Sequence, residues 1–280
     1  MYQLIEDAVG DQNNARAMCA ACQIAYMPEA EGTAKFRDLF AMSSRLISVD
    51  NTQAYIASHD EHIVLAFRGT ESPTSIDGLK DWLLTDAMNL LIVPDGRLGH
   101  DLCAAGVGAR FHKGFADAIA EIWTPVAAEI EAQMKKMDRP LWITGHSLGG
   151  ALALFGAWLL SRKFIRVHQI YTFGAPMIGN QIACDAFDRE FSGSISRYVS
   201  GKDPVPKLPG LSLIANEFAH VQTERLVGHD PMTTLGTFLG GIGTKAVGGL
   251  LSGAIIDDVW RYITEQIAAH GLDSYERLLN

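Results

Sequence analysis

Along the chain, short apolar runs rich in β-branched residues end in small or polar loops and alternate with longer segments whose apolar positions recur at helical spacing. This is the α/β pattern. Residues 55–58 and 62–67 are two such runs, separated by His59, Asp60 and Glu61; together they predict a hairpin, and the second stops at Arg68-Gly69-Thr70. Residues 14–26 have helical spacing, and 115–136 have the period of a long amphipathic helix. Residues 140–144 form a buried strand ending at Gly145, and 148–162 an Ala- and Leu-rich helix. A strand over 167–173 enters a Gly-Ala-Pro loop, a helix over 180–191 follows, and 194–200 and 220–227 are further strands. With no internal repeat or linker, one domain is expected over 1–280.

Composition narrows the partners. The 280 residues are 48% hydrophobic and 20% charged, with 23 basic against 32 acidic groups and a net charge of −9. That is the balance of a soluble globular protein, without the basic surface needed for nucleic acid or an anionic membrane. No nucleic-acid partner is expected. Cys19, Cys22, Cys103 and Cys184 are too few for a disulfide framework. Cys19 and Cys22 form a C-x-x-C within a helical pattern and with no strand before it, so core packing is expected of them rather than redox chemistry. The first residues carry acids where a signal peptide needs bases followed by an apolar run. As read, the chain is expected in the cytoplasm, or outside the cell if a leader has been removed.

The sharpest local signal is Gly145-His146-Ser147-Leu148-Gly149, set between a strand and a helix. A serine in so sharp a turn takes a strained backbone conformation, and the flanking segments approach closely enough that only glycine fits two residues to either side. The helix that follows aims its N-terminal amides at the hydroxyl, where negative charge develops during acyl transfer. His146 is adjacent to the serine and must point elsewhere, so it is assigned to packing. A serine nucleophile needs an imidazole base and a carboxylate to orient it, following in the order Ser, acid, His. Asp203 is the first acid after the strand ending at Ser200, in a loop stiffened by Pro204, Pro206 and Pro209. Asp185, Asp188 and Glu190 fall in the helical segment and read as surface charge. Three histidines follow Asp203. His220 opens the apparent strand 220–227, at the end away from the site, whereas His229 and His270 both satisfy the chain order.

These residues belong to a wider set: Ala66-Phe67-Arg68-Gly69-Thr70, Asp81-Trp82 with Asp86, His112-Lys113-Gly114-Phe115, residues 145–150, residues 171–180 and Asp203-Pro204-Val205-Pro206. In them the chain resembles the class 3 lipases of the α/β-hydrolase fold. The resemblance implies a mostly parallel central sheet flanked by helices, with Ser147 as nucleophile, Asp203 as the triad acid, and Thr70 with the Leu148 amide as the oxyanion hole. It favours His270 as base, because His270 precedes Tyr275 by five positions, as in the terminal pattern of many bacterial relatives, whereas His229 has Thr234 at that offset. It also implies that residues 71–94, with Trp82, Leu83, Leu84 and Met88, form a lid that opens at a lipid surface; the other reading is an ordinary core helix.

Residues 229–269 stand before His270 as a helical insertion. Within it, 235–256 carry Lys245 as the only charge and small residues at Gly236, Gly240, Thr244, Gly248 and Ser252. The stretch is long enough to span a bilayer, but a span would strand His270 outside the fold, so a packed or interfacial helix is expected. The activity implied is a serine carboxylic-ester hydrolase, first a triacylglycerol lipase working at a lipid–water interface, needing no cofactor and no metal. A phospholipase A1 or a short-chain carboxylesterase is the alternative. A lipid-surface binding protein with a vestigial site is the reading from a different class. Oligomeric state leaves no signal.

Overall fold

A strand covered on both faces needs apolar residues in near-continuous runs rather than at alternate positions, and β3 (Ile63–Phe67) and β6 (Leu141–His146) are buried along their whole length. They form the middle of a seven-stranded sheet with β1 (Ser43–Val49), β2 (Thr52–Ser58), β7 (Gln169–Phe173), β9 (Ile195–Ser200) and β11 (Glu224–Val227), in the spatial order β1-β2-β3-β6-β7-β9-β11. Every pairing from β3 to β11 is parallel. β1 and β2 add an antiparallel edge. The computed structural model describes residues 1–69, 91–207, 218–222, 224–228, 264–265 and 267–279.

Because side chains alternate across a strand, Ile63, Leu65 and Phe67 enter one core while Val64 and Ala66 enter the other. The first core lies beneath α3 (Gly96–Cys103), α4 (Lys113–Lys136), α5 (Leu148–Arg162) and α6 (Gln181–Glu190). The second lies beneath α1 (Gln12–Ala25), α2 (Glu29–Phe40) and α7 (Leu272–Leu279). α5 is buried from Gly149 to Leu160, which explains why its apolar residues run round the helix instead of along one stripe. Gln12 Nε2 and Arg16 Nε both donate to the Leu279 carbonyl, at 2.6 and 2.8 Å, so the first and last helices are tied together.

A second, four-stranded sheet consists of two-residue strands in the order β10 (Phe218–Ala219), β8 (Gly179–Asn180), β5 (Phe111–His112) and β4 (Leu91–Ile92). Leu91–Ile92 lie near the end of the segment 71–94 expected as a lid, and they pair with β5. Residues 71–90 lie outside the described residues, as do 235–256. The strand expected over 220–227 is corrected: pairing to β9 starts only at Glu224, and His220 follows β10 instead of opening β11. The expected hairpin is present in longer form, with Ser58 opposite Ile63.

Cys19 and Cys22 are buried in α1. Burial pushes the Cys22 thiol up to about 12 and holds the Cys19 thiol well above its ordinary value, so both stay protonated and act as core residues. Among the described residues no helix is long and apolar enough to cross a membrane.

Candidate active site

The turn from β6 into α5 places Ser147 at φ 57° and ψ −130°, a backbone conformation that non-glycine residues rarely hold. Its amide donates to the Phe173 carbonyl at 2.9 Å, which ties the turn to the neighbouring strand. A Cβ on Gly145 would collide with the Gly149 carbonyl, and one on Gly149 with the Phe67 carbonyl. The spacing of two glycines around the serine is therefore a steric requirement of this packing. Leu148 is the first residue of α5, so its N–H has no intrahelical acceptor and is available at the elbow.

Asp203 and His270 come together from distant parts of the chain. His270 Nδ1 lies 2.8 Å from Asp203 Oδ2, and both residues are about 1% exposed. A carboxylate only accepts, so Nδ1 carries the hydrogen and Nε2 keeps the basic lone pair. His270 Nε2 and Ser147 Oγ are both buried without a hydrogen-bond partner among the described residues. Two further donors hold the carboxylate: the Val205 amide reaches Oδ1 at 2.9 Å, and the Tyr275 hydroxyl reaches Oδ2 at 2.6 Å. Tyr275 in turn accepts from the Ser200 amide at 3.1 Å, fixing its direction of donation. Its own pKa is raised, first by burial and then by the Asp203 charge, so it remains a phenol.

Gly174 completes the support. It follows β7 at φ +59°, and a Cβ there would lie 2.7 Å from Asp203 Oδ2 and 2.9 Å from His270 Nδ1. In the sequence, this glycine stands out only within a motif, and Tyr275 only as a marker for His270. Glycine after an apolar strand and tyrosine one helical turn and a half beyond a histidine are the signals each leaves.

His146 does more than pack. Its Nε2 lies 2.7 Å from the His270 carbonyl, an acceptor only, so Nε2 carries the hydrogen. Nδ1 then accepts from the Tyr26 hydroxyl at 2.9 Å. Burial, and secondarily the neighbouring His270, hold this imidazole well below its ordinary pKa, so it is neutral. The Tyr26 oxygen also lies against Gly69, where a Cβ would collide with it. Gly69 is packed against the elbow: a Cβ on it would lie 3.3 Å from Ser147 Cβ.

Thr70 and His229 lie outside the described residues. His220, expected away from the site, instead donates through Nε2 to the Pro206 carbonyl in the acid's loop; it is far from serving as the partner of Asp203, whose Oδ2 is taken by His270 and Tyr275. Among the described residues no group of three or more His, Cys, Asp or Glu side chains gathers in a way that would hold a metal ion.

Residues 64–213, just over half the chain, match the model of the lipase (class 3) family. A secreted mono- and diacylglycerol lipase 3 of Gibberella zeae is 34% identical over 122 residues, which span 42% of this chain and 37% of that protein. The chloroplastic phospholipase A(1) DAD1 of Arabidopsis thaliana is 28% identical over 169 residues, 57% of this chain and 36% of its own length. The chain thus spans well under half of each of these relatives. The solved structure of the Lip2 lipase from Yarrowia lipolytica superposes with a TM-score of 0.65 at 19% identity, covering 78% of this chain and 79% of that one, and shares the fold.

Proposed function

The chain belongs to the class 3 lipase family, and on that premise we propose that it is a serine carboxylic-ester hydrolase acting on acylglycerols. The observation that carries the reading is the buried Asp203–His270 pair together with a strained Ser147 whose neighbour His146 lies against His270, with His270 Nε2 and Ser147 Oγ both left without a partner among the described residues. Ser147 Oγ attacks the ester carbonyl while its proton passes to His270 Nε2. The tetrahedral oxyanion receives the Leu148 amide and Thr70, whose neighbour Gly69 packs on the serine. Collapse expels the alcohol, which takes the proton from Nε2. Water then attacks the acyl-enzyme, giving one proton to Nε2; release of the carboxylic acid returns that proton to Ser147. Asp203 holds the imidazole's orientation and stabilises its charged form, and no cofactor is called on.

Labelling with an active-serine phosphonate tests the reading directly. Modification of Ser147 in the native protein, lost in Ser147→Ala, is expected; a folded protein that is not labelled would sink it and favour a lipid-surface binding role with a vestigial site. The likeness to a phospholipase A(1) supports a second substrate class. Mono-, di- and triacylglycerols assayed beside a diacyl phospholipid, below and above their solubility, separate the two, because faster release from acylglycerols is expected. Residues 71–94 as a lid and a lipid–water interface as the working surface belong to this proposal.

A further inference from the structure

The triad explains why Asp203 sits where it does, but not what holds the backbone of the base. His270 is preceded by a single 3-10 turn (Ile267–Ala269) and followed by an eight-residue helix. Such short elements do not fix a catalytic side chain unless something else pins the main chain. Tyr275 and Leu279 hold the helix after it, and the residue beside the nucleophile reaches the main chain of the base itself. His146 is completely buried, its ring centroid is 4.5 Å from that of His270, and its Nε2–H donates to the His270 carbonyl at 2.7 Å.

We propose that His146 and Tyr26 are positioning residues for catalysis, forming one directed hydrogen-bond chain that fixes the base's backbone to the elbow and packs it on Gly69 in the loop leading to Thr70. The direction of every link follows from chemistry. The His270 carbonyl can only accept, so His146 Nε2 donates; Nδ1 is left to accept, so the Tyr26 hydroxyl donates to it; and the phenol oxygen packs on Gly69, where a Cβ would collide with it. Burial keeps the His146 imidazole neutral, so the pattern of one donor and one acceptor is maintained through the neutral range. The chain joins parts of the site that come from separate stretches of sequence, the end of α1, the β6–α5 elbow and the turn before α7, and lies against the loop after β3 at Gly69. Neither residue touches the reacting atoms on this assignment. The proposal rests on the reading of Ser147, Asp203 and His270 as a triad.

The test uses variants of the full chain, a soluble short-chain p-nitrophenyl ester, and the phosphonate probe. His146→Leu removes both links and is expected to lower kcat by about 100-fold, the scale of a 1 Å misplacement, with KM nearly unchanged. His146→Gln carries an amide N–H that reaches the Nε2 position, and restores kcat to within about tenfold of the parent, the worth of one ordinary hydrogen bond. Tyr26→Phe deletes one oxygen, and is expected to lower kcat by about tenfold while leaving the thermal midpoint within a few degrees. Phosphonate labelling of Ser147 should slow in the same order. If the parent protein is not labelled, the triad reading fails rather than this one. If the parent is labelled and Tyr26→Phe and His146→Gln match it and His146→Leu alike in kcat, the positioning role is wrong. Should His146→Leu not fold, Tyr26→Phe decides alone: a parental kcat overturns the proposal.

Discussion

Gly174 has φ +59° and no room for a methyl group, because a Cβ would press within 2.9 Å of both Asp203 Oδ2 and His270 Nδ1. Gly174→Ala is therefore expected to break the acid–base pair without opening a cavity, lowering kcat by about 100-fold; unchanged kcat on a soluble ester would show that the pair is not needed. Ser147→Ala should remove about 10⁴-fold or more of the activity with the fold intact, since the hydroxyl makes no hydrogen bond among the described residues. His270→Ala should do the same, whereas His229→Ala should not, and the reverse outcome on one soluble ester would transfer the role to His229. Thr70→Val is expected to cost about 100-fold, the usual loss of an oxyanion donor. These residues were legible to different degrees. Ser147 and Asp203 stand in local motifs whose turn chemistry shows in a few letters. His270 does not, because its partner lies 67 residues earlier, and only chain order and the tyrosine five positions on singled it out. The roles of Tyr26 and His146 depend on contacts 120 and 124 residues apart, which no local pattern encodes.

Among elements, those with a strong period were readable from sequence. The helix read over 148–162 matches α5, and the apolar runs became β3, β6 and β7 within a few residues. β1 was missed because it is an edge strand with a single buried position, the rest being exposed or half-buried, so its polar letters look like a loop. The four strands of the small sheet are two residues long; their conformation comes from pairing with distant segments, and a period cannot be read from two residues. α2 buries only Gly32, Phe36 and Phe40, too thin a stripe to stand out. Residues 235–256 carry a prediction from sequence alone. Small residues every four positions suit a helix packed closely on another backbone, with Leu, Phe and Ile left to face outward. Replacing Phe238 and Leu239 by Ser should weaken hydrolysis of aggregated long-chain substrate more than that of a soluble short ester. An equal loss on both would assign the segment a purely structural role.

For the molecule as a whole, buried neutral imidazoles set the response to acid. Burial lowers His112 from 6.5 to about 3, and burial together with Arg197 lowers His220 to about 3. Unfolded chains take up these protons below about pH 6.5 whereas the native protein resists until about pH 3, so stability is full above the upper value and falls as pH drops through that window. Each such group contributes a slope of about 1.4 kcal/mol per pH unit there. His112→Asn should flatten the decline of the thermal midpoint between pH 6 and pH 4; parallel curves for the two proteins would remove His112 from the account.

The tie between the first and last helices has a consequence for synthesis. The elbow and the strand it is tied to have both left the ribosome once Phe173 has emerged, but the partner of Asp203 arrives with residue 270, Tyr275 follows it, and the carbonyl held by Gln12 and Arg16 belongs to Leu279. Contacts of such sequence separation form only when both ends of the chain are free to meet. A nascent chain halted before residue 270 would thus carry its serine with no base, and should stay unreactive to a phosphonate, while one extended by a linker that clears the exit tunnel should react. Translation itself would act as the switch, holding the nucleophile silent until residues 270–279 emerge.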